Sequence, residues 1–165
     1  MKAKSTLFAL VALILWSNTS TGQLPIPRFG VVGGVSHYDF GATGTTPFGA
    51  LRVELPLVAL VAEGSLGAFR PEEGGERRTY VIPEAQLQWQ IFPVVVRPYL
   101  GAGVGWLKAI SGPTPRRDDM TISASAGVRV GLPMLGFGLR GEVRVRTIGS
   151  ELTVRATEYT IGVIR

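Results

Sequence analysis

Few residues in this chain could do chemistry, and their spacing limits them further. His37 is the sole histidine, Ser36 precedes it, and there is no cysteine. A Ser–His nucleophile pair must converge in space, whereas neighbours on an extended strand point to opposite faces. One imidazole without a thiol falls short of the donor set of a metal centre. The chain has 22 glycines, but none sits in the strand-to-helix setting of a phosphate loop. Asp118-Asp119 and Glu72-Glu73 read as solvated loop charge. No catalytic, metal or cofactor site is expected.

The charges worth following are instead spread along the chain. Arg52, Glu54, Glu63, Glu84, Arg129, Arg140, Glu142, Arg144, Arg146 and Glu158 each take the polar parity of an alternating segment, five of either sign. Alternation of period two is the signature of a strand with two different faces. In Met120 to Leu132 the even positions are apolar, against Thr121, Ser123, Ser125, Gly127, Arg129 and Gly131. Leu135 to Arg146, Tyr80 to Ile91 and Tyr99 to Trp106 repeat the pattern. Weaker versions span Phe29 to Tyr38, Phe48 to Leu55, Val58 to Phe69 and Thr157 to Arg165, making eight strands. Parity flips between Val154 and Tyr159, so the last strand starts late or carries a bulge.

The connections alternate as well. Proline turns at Pro56, Pro93 and Pro133 are short, whereas Asp39 to Thr46, Arg70 to Thr79, Ser111 to Asp119 and Thr147 to Arg155 are longer polar links. Short turns at one end and long links at the other describe an eight-stranded antiparallel up-and-down barrel.

Composition narrows the setting. The 165 residues are 45% hydrophobic and 18% charged, below the roughly 25% charged of soluble domains, which argues against disorder. The net charge is +5, but no basic run exceeds two residues, so no nucleic-acid partner is expected. Residues 1–22 read as a signal peptide: basic Met1 to Lys4, an apolar run of ten residues from Leu7 to Trp16, then small polar residues. Ten residues are about half the ~20 a spanning helix needs. Losing Lys2 and Lys4 takes Lys+Arg from 17 to 15 against 12 acids, a net +3. Residues 23–165 then form one barrel domain.

Which face looks inward separates a soluble from a membrane barrel. The balanced charges suit pairing in a narrow lumen. Phe29, Trp89, Phe137 and Trp106 lie near strand ends, as the aromatic girdles of a spanning barrel do. Glycines 101, 103 and 105 leave room inside for long side chains opposite. A soluble barrel with these faces inverted is the alternative. The export segment favours the membrane.

From Arg28 to Arg165 the chain resembles the small eight-stranded outer-membrane β-barrels of Gram-negative bacteria, the OmpA/OmpX-like class. Pro98-Tyr99-Leu100-Gly101-Ala102-Gly103-Val104-Gly105-Trp106 carries the resemblance best. It implies location in the bacterial outer membrane, contact with outer-membrane lipid and lipopolysaccharide, and insertion by the outer-membrane assembly machinery. One departure is that the family's last strand usually ends in an aromatic residue and this one ends in Arg165. The His-x-Ser spacing of the lipid A deacylase barrels is also missing.

The function expected is a non-enzymatic structural or surface-interaction barrel, its lumen filled by Arg52, Glu63, Glu84, Arg129, Arg140, Glu142, Arg144 and Glu158. Arg140 and Glu84 serve as an example of a central cross-lumen pair. A narrow channel for small solutes is the alternative, and a barrel enzyme acting on lipid A, suggested by His37 beside Ser36, ranks below it. Arg70, Arg77, Arg78, Lys108, Arg116 and Arg117 cluster at the long-link end and are the candidate lipopolysaccharide contacts. The surface ligand is unknown.

Overall fold

The computed structural model describes residues 26–40, 42–57, 60–73, 75–91, 95–112, 118–132, 136–149 and 153–165. Ten strands occur among them: β1 (Arg28–Phe40), β2 (Ala42–Leu57), β3 (Leu60–Phe69), β4 (Glu72–Glu73), β5 (Glu76–Arg77), β6 (Thr79–Gln90), β7 (Val96–Ser111), β8 (Asp118–Leu132), β9 (Phe137–Ile148) and β10 (Val154–Ile164). Eight close into a barrel in which each pairs antiparallel with its sequence neighbour, β3 passing directly to β6. Closure is made by β1 against β10, from Gly30 opposite Ile164 to Tyr38 opposite Ala156. β4 and β5 form a small separate ribbon in the link between β3 and β6.

Parity explains the wall. Leu51, Leu66, Leu100, Val104, Ile122, Val128, Val143 and Ile161 are all exposed on the outer face, while Arg52, Glu63, Gln86, Ser123, Arg129 and Arg144 are buried on the inner one. Nothing among the described residues covers these apolar side chains, which ring the closed sheet, and hydrocarbon is the solvent that suits them. Phe29 and Trp89 stand exposed towards the short-turn end and Trp106 towards the other. No helix among the described residues is long and apolar enough to cross a membrane.

Two details differ from the sequence expectation, and a third settles an open alternative. Asp39 to Thr46 is no long link, because β1 and β2 stay paired out to Phe40 opposite Ala42. Their polar residues pair across the ribbon: Thr43 Oγ1 donates to Asp39 Oδ1 at 3.1 Å, and His37 Nδ1 lies 3.0 Å from Thr45 Oγ1. Polar content there marks a ribbon in water, not a loop. Pro56 keeps its place in the ladder opposite Val61, so the chain reverses after it. The parity flip is a bulge, since the β9–β10 register shifts between Val154 and Ala156. Pro93, Pro133 and the signal segment lie outside the described residues.

Candidate functional site

The interior is the site, and β9 supplies four of its ten charges, more than any other strand. Arg140, Glu142, Arg144 and Arg146 share one parity on this strand, so all four enter the lumen and are buried. Glu142 is enclosed by three guanidinium groups: Arg52 Nη2 donates at 2.9 Å, Arg144 Nε at 3.1 Å, and Arg140 Nη2 also donates to it. Glu63, from β3 across the barrel, meets the same three arginines, with Arg144 Nη2 at 3.0 Å, Arg52 Nη1 at 3.5 Å, and Arg140 Nη1 in contact. Two carboxylates thus bind three guanidinium groups in one cage.

The cage is extended at both ends. Towards the long links, Glu84 accepts from Arg144 Nη1 at 2.5 Å, from Ser123 Oγ at 2.9 Å, and from Arg146. Arg146 also forks onto Glu158, with Nε at 3.1 Å and Nη2 at 3.2 Å from its two oxygens. Towards the short turns, Glu54 accepts from Arg140 Nη1 at 2.6 Å and Arg129 Nη2 at 2.7 Å. Charge-assisted bonds of this kind are the strong class, and the planar arginine fork suits carboxylates. Burying so many ions is offset only because nearly every one meets several partners.

The small residues of β7 and β8 make the room. A Cβ on Gly103 would lie 2.9 Å from Ser123 Oγ and 3.0 Å from Glu84 Oε1. Any larger residue there would displace the carboxylate that Arg144 reaches from the opposite wall. Gly127 is held under the Tyr99 ring in the same way, an added Cβ falling 2.4 Å from the hydroxyl. That hydroxyl donates to Glu142 at 2.7 Å and accepts from Arg140 Nε at 2.6 Å, while Arg129 and Arg140 stack on the ring at 4.5 and 4.9 Å.

All eight residues expected in the lumen are buried there, together with Glu54 and Arg146. The example pair is not formed: Arg140 meets Glu54, Glu63 and Glu142, and Glu84 goes to Arg144 and Arg146. Strand stagger, which residue types do not disclose, decides this. Sequence reading also missed Tyr99, Gln86 and Gln88 as members of the network. Gln88 Nε2 donates to Glu63 at 2.9 Å and Gln86 Nε2 to Ser125 Oγ at 2.8 Å. Their inward parity was the available signal.

The larger departure is that the interior is not polar throughout. Its long-link half holds an apolar cluster of Val32, Tyr38, Phe48, Ala50, Phe69, Tyr80, Ile82, Leu107, Ala109 and Ile148. The Phe48 and Phe69 rings lie 6.4 Å apart, and Phe69 stacks on Tyr80 at 5.6 Å. Leu107, Ala109 and Ile148 sit beyond the expected ends of their strands, so their inward parity went unread.

At the long-link rim, Arg70, Arg77 and Lys108 are exposed and Arg78 is half-buried; Arg116 and Arg117 lie outside the described residues. Arg77 is paired in the ribbon with Glu72, and Lys108 stands opposite Asp118. The ribbon is tied to the barrel by Tyr38, whose hydroxyl accepts from Glu72 N at 3.0 Å, and by Thr46 Oγ1, which donates to Arg70 O at 2.9 Å. Ser36 is buried inside and His37 exposed outside, so the two do not converge. No group of three or more metal-ligating residues occurs among the described residues.

No known protein-family profile matches the chain, and no curated protein does. Solved structures do. Neisserial surface protein A superposes with a TM-score of 0.68 at 14% identity, over 84% of this chain and 94% of that one. The N-terminal β-barrel domain of Pseudomonas aeruginosa OprF gives 0.60 at 14% identity, over 86% and 98%. The attachment invasion locus protein Ail of Yersinia pestis gives 0.51 at 17% identity, over 83% and 93%. Another structure of Ail, an outer membrane protein, was determined in a phospholipid bilayer nanodisc. With its closed ring of eight antiparallel strands, apolar outside and charged within, this chain has the fold of the small eight-stranded outer-membrane β-barrels.

Proposed function

We propose that this chain is a non-enzymatic barrel of the bacterial outer membrane, a closed and rigid platform rather than a channel. The observation that carries the reading is the double obstruction of the lumen, by the arginine–glutamate cage in one half and the aromatic cluster in the other. An eight-stranded barrel is just wide enough for side chains to fill. Residues 1–22 direct export in this reading, and the assembly machinery inserts residues 23–165.

The decisive experiment is planar-bilayer recording on the refolded chain, with heat-modifiable gel migration to establish the closed barrel. A closed platform gives no steady conductance. Large, regular single-channel steps would move the assignment to the narrow channel.

Arg70, Arg77, Arg78 and Lys108, with Arg116 and Arg117, are the side chains offered to lipopolysaccharide phosphates in this reading, on an outward-facing long-link rim. Protease added to intact cells should cut near Arg77-Arg78. Cleavage only after the envelope is opened would place that rim on the periplasmic side.

A further inference from the structure

The short-turn mouth of the lumen is electrostatically unlike the interior above it. The ten interior charges are balanced, but the mouth adds Arg28 and Arg97 to Arg129 around a cavity of about 290 Å³. Glu54 is the only acidic side chain bordering that cavity among the described residues, and it already accepts from Arg129 and Arg140. Gly131 and Gly138, paired across β8 and β9, border this space and put no side chain into it.

A second observation points to a ligand. Arg129 is 7% exposed, yet its Nε and Nη1 are buried and donate to no protein acceptor. Only Nη2 is used, on Glu54 and Gln88. A buried guanidinium with idle donors is costly unless an acceptor reaches it. The acceptor must be anionic, because cations outnumber acids around the cavity. It must also offer oxygens in several directions, since Arg28, Arg97 and Arg129 come from three different strands. A carboxylate presents two oxygens in one plane, whereas a tetrahedral phosphate presents three or four.

We propose that this vestibule binds a phosphate group, with Arg129 at its floor and Arg28 and Arg97 at its rim. The phosphate could come from solution or from a phospholipid headgroup at the short-turn membrane surface, the second source resting on the membrane reading above. An apolar groove on the outer wall, lined by Phe29, Val31, Leu51, Val53 and Val163, adjoins the vestibule at Phe137 and Ile164 and offers an acyl chain a place to lie.

The test is calorimetric titration of the folded chain in uncharged maltoside micelles, with inorganic phosphate in one arm and dihexanoylphosphatidic acid in the other. Sodium chloride at equal ionic strength is the control. One saturable site per chain is expected, weakened at least tenfold in the Arg28→Gln/Arg97→Gln variant. These rim positions lie outside the cage, and gel migration verifies that the variant is folded. Equal affinity in both arms assigns the site to the phosphate group alone. Binding at least tenfold tighter for the phosphatidic acid assigns it to a lipid headgroup. Heat that merely follows ionic strength, or affinity unchanged in the double variant, would overturn the proposal.

Discussion

The short-turn half of the lumen holds interlocked arginines and glutamates, and the long-link half holds rings and aliphatic chains, although the same eight strands line both. The halves respond differently to error. An apolar cluster needs about the right volume and tolerates rearrangement. In the cage, Glu63 and Glu142 each depend on arginines from β2 and β9, so every charge there specifies its neighbours' strands. A slip of one residue in β9 would turn Arg140, Glu142, Arg144 and Arg146 to the lipid face together. The apolar half fills space, and the charged half fixes register.

That contrast can be broken most forcefully at the centre of the cage. Glu142→Ala strands parts of Arg52, Arg140 and Arg144 at once and should destabilise the barrel by about 3–5 kcal/mol. Urea unfolding in lipid measures it; a loss below about 1 kcal/mol would show that water reaches the cage freely. Leu107→Ala, in the other half, should cost about 2–5 kcal/mol through lost burial and a cavity. Its cost should not depend on whether Glu54 is also replaced, because Glu54 borders the short-turn mouth and Leu107 belongs to the apolar cluster of the other half. By contrast, Arg146→Ala and Glu158→Ala should couple by about 0.5–3 kcal/mol in a double-mutant cycle.

A third test sets one residue against its neighbour. Position 129 carries a buried arginine, while Val128→Arg places the same side chain on the outer wall, where it should cost up to about 2–4 kcal/mol. A harmless Val128→Arg would invert the assignment of faces. The smallest effect belongs to the exposed rim, where Arg77→Gln should change stability by no more than about 1 kcal/mol.

Much of this was legible in the residues, for a definite reason. Strand parity is local, so Ser123 and Arg144 disclose their side of the wall without knowledge of any partner. Pairing across the lumen is not local: Arg140 reaches Glu54 and Glu63 because of stagger that accumulates around the ring. The apolar half was hidden differently. Tyr38, Phe69 and Tyr80 sit at strand ends that adjoin polar stretches, where alternation fades and an inward ring looks like one more rim aromatic. Val32 and Ile82 break a polar face in mid-strand, and only closure of the barrel shows that they meet. The 290 Å³ vestibule has no signature in the sequence, since Arg28, Arg97 and Arg129 converge only when the ring is complete.

The seam between β1 and β10 has a kinetic consequence. Its ladder joins residues such as Val32 and Gly162, from opposite ends of the described chain, and is finished at the mouth by paired backbone bonds of 2.7 and 2.8 Å between Phe29 and Arg165. Every other strand pair in the ring is a hairpin or near-hairpin, cheap in chain entropy and able to form as soon as its two strands exist. The seam requires closing nearly the whole described chain into one loop before its first bond is gained, so it carries the largest loop-closure cost in the ring and is expected to form last. Until then β1 and β10 are two long open edges, each able to accept a strand from another molecule. The danger of misassembly is therefore concentrated in the time the last strand takes to find the first.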